Sequence, residues 1–139
     1  MGTGNKITNN GLKISLNRTY KATPDYTAPS VFKIGTGTTD PAITDTDVET
    51  GVNINGGATK IFVSGYPSLD ETNFQSTIRC LLLTTEGNGN SLTEFGLFNT
   101  DGSALMFSHM VHTAITKTTS VQISYVQKDQ FAWVLLMFL

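Results

Sequence analysis

The sequence predicts an all-β fold: a single antiparallel β-sandwich, jelly-roll-like or a flattened barrel, of about eight strands. Three observations predict it. Apolar and polar residues alternate in several short segments, the period of a half-buried strand. Charged residues make up only 14% of the chain, against a usual share of about a quarter. Thr, Asn, Ser and Gly fill the gap, the first suiting a pleated surface and the others supplying turns. Finally, no ten-residue segment shows a convincing helical stripe. A length of 139 residues fits one core.

The elements follow in chain order. Residues 1–10 are polar and read as a flexible arm. Residues 11–20 alternate, with Leu12, Ile14 and Leu16 on one face and Lys13, Ser15 and Asn17 on the other, which predicts a strand. Thr23-Pro24-Asp25 and Ala28-Pro29 break the chain. A short strand is expected at 31–34. Residues 35–57 form a long loop rich in Gly, Thr and Asp, with room for one helical turn at 40–49 and a short strand at 52–54. Residues 58–65 read as a strand centred on Ile61, Phe62 and Val63, turned by Tyr66-Pro67-Ser68. The strongest strand is 74–85, apolar on both faces and therefore central. Residues 86–90 are a loop tip. Residues 92–98 and 104–112 form a hairpin over Asn99-Thr100-Asp101-Gly102, with Gly102 in the left-handed position. Residues 114–119 connect to an alternating strand at 120–127. Lys128-Asp129-Gln130 interrupts it, and residues 131–139 are all apolar. The expected organisation is an arm at 1–10, a sandwich at 11–130, and an apolar strand at 131–139 that joins the core or meets another subunit.

Candidate chemistry is sparse. Nine basic residues against eleven acidic ones give a net charge of −2 with no basic cluster, so nucleic-acid binding is not expected. The apolar run is too short for a spanning helix, and a lone strand cannot satisfy its backbone in lipid, so no membrane role is expected. Residues 1–10 lack the apolar stretch of a secretory leader. The single Cys80 excludes an internal disulfide and reads as a small buried hydrophobe. Ser64 lacks the first glycine of a nucleophile elbow. His109 and His112 are the only histidines, and on a strand their odd spacing puts them on opposite faces, disfavouring a shared metal. Asp40, Asp45, Asp47 and Glu49 fail the EF-hand spacing and read as a solvated acidic loop. Gly35-Thr36-Gly37 lacks the third glycine of a dinucleotide fingerprint. No catalytic, cofactor or metal residues are assigned, and no enzyme activity is expected. Phe131, Trp133, Leu135, Leu136 and Phe138 are the candidate protein-interface residues, because exposed apolar patches mark contact sites.

The segment from Thr93 to Gly102, with its Glu94-Phe95-Gly96-Leu97-Phe98-Asn99-Thr100-Asp101-Gly102 run, resembles a strand and hairpin recurring in tail-fibre and baseplate-associated proteins of tailed bacteriophages. Ile34-Gly35-Thr36-Gly37-Thr38-Thr39-Asp40-Pro41 with Asp45-Thr46, and Ala114-Ile115-Thr116-Lys117-Thr118, are similar to further segments of that family. The resemblance covers roughly residues 31–127. It implies a non-enzymatic virion protein, assembled in the host bacterial cytoplasm. Such a protein is an oligomeric adaptor that binds other virion proteins and attaches fibres or appendages to the tail, neck or baseplate. A capsid decoration protein and a carbohydrate-binding module are the alternatives. The apolar run at 131–139 departs from the family pattern.

Overall fold

The computed structural model describes residues 4–102 and 104–131, which form nine strands and one helix in two antiparallel sheets. The elements are β1 (Gly4–Ile7), α1 (Asn9–Tyr20), β2 (Val31–Gly35), β3 (Gly51–Val52), β4 (Lys60–Ile61), β5 (Ser68–Asp70), β6 (Gln75–Leu82), β7 (Asn90–Phe98), β8 (Met106–Lys117) and β9 (Ile123–Gln130). The larger sheet runs β1-β8-β7-β2-β3, with β4 also pairing β2, and the smaller runs β5-β6-β9. The all-β sandwich expected from the alternation is the fold observed.

The core lies between the sheets. Phe32, Ile34, Phe95 and Leu97 of the larger sheet meet Ile78, Cys80, Leu82, Ile123 and Tyr125 of the smaller one. The rings of Phe95 and Tyr125 stack at 4.4 Å with planes 9° apart, an arrangement worth about 1 kcal/mol beyond the area it buries. Burial pushes the Cys80 thiol up to about 12, which leaves it a protonated, unreactive hydrophobe. β7 is buried along its whole apolar length, Leu92 to Phe98. The smaller sheet covers one face. On the other, Val31, Phe98 and Met106 pack with Val48 of the 36–50 loop.

Five expectations need correction. Residues 11–20 form the helix α1, not a strand. Thr8 caps it, accepting a hydrogen bond from the Gly11 amide at 3.1 Å, and the Lys21 amide closes it on the Asn17 carbonyl. Leu12, Leu16 and Tyr20 satisfy spacing four as well as spacing two, so the pattern was compatible with both periods. Packing chose the helix: Gly11 sits so close to β8 that a Cβ there would lie 2.1 Å from the Phe107 carbonyl oxygen. The supposed arm at 1–10 contains β1, which pairs β8 from Gly4↔Val111 to Ile7↔Ser108. The strand expected at 58–65 shrinks to β4, and β5 forms just after the Tyr66-Pro67 turn instead. β8 runs on to Lys117, through much of the expected connection, because its second half pairs β7 from Asn90↔Lys117 to Leu92↔Ile115. β9 runs through Lys128-Asp129-Gln130, held by β6 from Gln75↔Gln130 onward.

Candidate functional site

The densest polar cluster sits on the outer face of the larger sheet, beneath the 36–50 loop. Strand register builds it. Gly35 of β2 lies opposite Glu94 of β7, and Glu94 lies opposite Val111 of β8. One step along, Gly96 lies opposite His109, so alternation puts Glu94 and His109 on the same face.

Glu94 is fully buried and gathers four donors. Its Oε2 accepts from the Gly37 amide at 2.8 Å and the Thr50 amide at 3.0 Å. Its Oε1 accepts from the Glu49 amide at 2.7 Å and faces His109 Nε2 at 3.0 Å. Burial pushes the carboxyl up, but these amides and the imidazole outweigh it and hold Glu94 below the usual carboxylate range. The glycines of Gly35-Thr36-Gly37 make room for it. A Cβ at Gly35 would lie 2.3 Å from Oε2, and one at Gly37 would lie 2.6 Å away. This glycine pair therefore cradles an internal carboxylate, where sequence inspection had weighed it only against a nucleotide fingerprint.

His109 is 3% exposed and stands between two carboxylates, with Nδ1 2.7 Å from Asp45 Oδ2. Both ring nitrogens face acceptors, so only the imidazolium donates to both. Burial also raises Asp45, and the Ala42 amide and His109 overcome that and hold it low. Asp47 of the same loop pairs with Lys33 Nζ at 2.9 Å. A cleft of about 400 Å³ opens above, lined by Thr39, Asp40, Asp45, Asp47, Glu49 and His109 among others. Among the described residues no three acid, His or Cys side chains converge as metal ligands. Nor does a Ser, Thr or Cys side chain bond to His109 as a nucleophile would. Chemically, the cluster fastens a loop to a sheet.

The other histidine has separate partners. His112 Nδ1 donates to the Thr113 carbonyl at 2.8 Å, and its Nε2 accepts from the Tyr125 hydroxyl at 2.9 Å. Ser64 is exposed. Asn99 is fully buried and ties the hairpin turn. Its Oδ1 accepts from the Leu105 amide at 2.9 Å, and its Nδ2 donates to Asp101 at 2.8 Å. Asp101 in turn accepts from the Thr27 amide at 2.6 Å.

No family model, curated protein or solved structure matches the chain. Two of the three segments that carry the resemblance are joined in space, because Glu94 of one accepts from the Gly37 amide of the other.

Of the interface candidates, Phe131 is 71% exposed, and its amide donates to the Phe74 carbonyl at 2.9 Å. Trp133, Leu135, Leu136 and Phe138 lie outside the described residues. Phe74 and Leu69 are also exposed near that end of the smaller sheet. Sequence reasoning missed a second apolar surface. Leu12, Leu16 and Tyr20 form a ridge at every fourth residue along α1, exposed at 58%, 64% and 73%. On the opposite side, Gly11 and Ile14 face β8. The spacing was visible in the sequence, but the strand assignment placed Leu12 and Leu16 on one inward face with Ile14.

Proposed function

We propose that this chain is a non-enzymatic structural protein of a bacteriophage virion, an oligomeric adaptor that attaches fibres or appendages to the tail, neck or baseplate. The observation that carries the assembly role is the apolar ridge Leu12–Leu16–Tyr20, set on a helix whose other side is already packed. A row at spacing four is the ridge by which helices pack into a neighbour's groove. Solvent-facing apolar rows of this kind mark contact surfaces. The exposed Phe74 and Phe131, at the point where the apolar run 131–139 begins, add a second surface.

The buried polar clusters support a scaffold role, since their donors and acceptors are spent on the chain's own backbone and side chains. Among the described residues no buried side-chain polar atom lacks a partner. Among the described residues the smaller sheet has β9 as an eight-residue edge, the kind of edge to which a neighbour's strand can add. The virion assignment rests on the resemblance of the Thr93–Gly102 and Ile34–Pro41 segments.

Light scattering on the full chain, on a chain ending at Gln130, and on Leu12→Asp/Leu16→Asp tests the assembly role. The full chain is expected to form a discrete oligomer that at least one change dissociates. A full chain that is monomeric at high concentration, and does not bind purified virion particles, overturns the proposal.

A further inference from the structure

One buried group takes no part in the Glu94 cluster or in the apolar surfaces. Lys117, the last residue of β8, is fully buried, which is rare for lysine unless a carboxylate pairs with it. Among the described residues no carboxylate oxygen lies within ion-pair distance of its Nζ. Its acceptors are neutral: Asn88 Oδ1 at 2.7 Å and the Thr118 carbonyl at 3.1 Å. An ammonium has three N–H groups to place, whereas a free amine has two, which is the number of acceptors present. Burial pushes the amine below the usual lysine range, against the pull of the Glu86 charge.

The Asn88 carboxamide is held from both ends. Its Nδ2 donates to the Thr84 carbonyl at 2.8 Å while its Oδ1 meets the lysine. The electrophilic Cγ is therefore one bond beyond the oxygen that touches Nζ. Glu86 is 4% exposed and is engaged elsewhere. It is fixed by Lys60 Nζ at 2.6 Å and the Leu83 amide at 2.9 Å.

From this arrangement of amine and carboxamide we propose that Lys117 and Asn88 join in a self-formed isopeptide bond. The Nζ lone pair forms a bond to Cγ, the Cγ–Nδ2 bond breaks, and ammonia leaves. In the tetrahedral adduct one proton passes from Nζ to the departing Nδ2, so that ammonia departs neutral as the amide forms. No oxidant, metal or co-reactant is consumed. The product replaces a buried amine with a neutral amide and so removes the cost of burying its charge. It also ties the β6–β7 loop to the end of β8 across 29 residues. The inference stands apart from the assembly role.

A rival reaction at the same residue loses the same ammonia: closure of Asn88 onto the Gly89 nitrogen as a succinimide. The structure opposes it by engaging that nitrogen, which donates to the Lys117 carbonyl at 2.9 Å.

Intact-mass spectrometry and a proteolytic map of the folded full chain test the proposal. The wild type is expected to weigh one ammonia less than its sequence. Digestion should yield a branched peptide joining the segments of residues 88 and 117. Lys117→Arg and Asn88→Ala should each restore full mass. A folded wild type at full sequence mass overturns the proposal whatever the variants do. So does a deficit that survives in Lys117→Arg, or one that maps to Asn88–Gly89 as a succinimide.

Discussion

Glu94→Gln should be among the most damaging isosteric substitutions in the chain. The carboxylate is fully buried and receives three amides and an imidazole. Gln keeps one carbonyl oxygen, which can still serve the Gly37 and Thr50 amides. Its NH2 group then points at the Glu49 amide, setting donor against donor. Each lost bond to a charged acceptor is worth about 1.5–3 kcal/mol. His109 also loses one of its two carboxylate partners. Breaking a buried pair from one side costs about 3–5 kcal/mol, and the geometry argues for that full range. With a mid-range urea slope of about 2 kcal/mol per molar, the unfolding midpoint should fall by roughly 1.5–2.5 M. Urea titration followed by circular dichroism reads this directly. Asp47→Asn is the control. Its pair with Lys33 is half exposed on the Asp47 side and should cost under about 1 kcal/mol. A loss of less than about 1 kcal/mol in Glu94→Gln would refute the idea that this one carboxylate fastens the 36–50 loop.

Four further outcomes follow from the same structure. Glu94 and Asp45 both titrate below their ordinary range when folded. Their stabilisation is therefore complete above the unfolded carboxylate pKa of about 4 and is lost as pH falls through the folded values. Urea midpoints measured from pH 7 downward should drop in the wild type and flatten in Glu94→Gln. Gly11→Ala should destabilise by about 1–3 kcal/mol despite alanine's higher helix propensity, because the new Cβ meets the Phe107 carbonyl; thermal melts measure it. Leu16→Asp should shift stability by no more than about 0.5 kcal/mol, as exposed substitutions do, while reducing the oligomer mass in light scattering. Cys80, buried with its thiol pushed up to about 12, should resist a thiol reagent in the native protein and react fully in denaturant.

The site was partly legible in the sequence. Gly35, Gly37, Asp45, Glu94 and His109 each drew attention for some reason, but none for the reason that unites them. Glu94 was noticed only as part of a recurring run. Nothing in a linear sequence says that a carboxylate at 94 will accept from amides at 37, 49 and 50. Those contacts need β2, β7 and β8 paired in one particular register. The helix shows the same limit from another side. Thr8, three residues before Gly11, is a usable cap signal, and the Leu12–Leu16–Tyr20 spacing was present. Yet Leu12, Ile14 and Leu16 fit a strand equally well, and only the close approach of Gly11 to β8 separates the two.

By itself the sequence determined the fold class, the hairpin at Asn99–Gly102 and the central place of the strand read at 74–85. These follow from local rules: a two-residue period, glycine at a left-handed turn, and apolar residues seeking cover. Tertiary structure alone decided that residues 9–20 coil into a helix. It also decided that β1 is a strand rather than an arm, and that one buried glutamate holds a distant loop. Each of these depends on a partner far away in the chain, and a partner is worth nothing until the backbone has brought it within hydrogen-bonding reach.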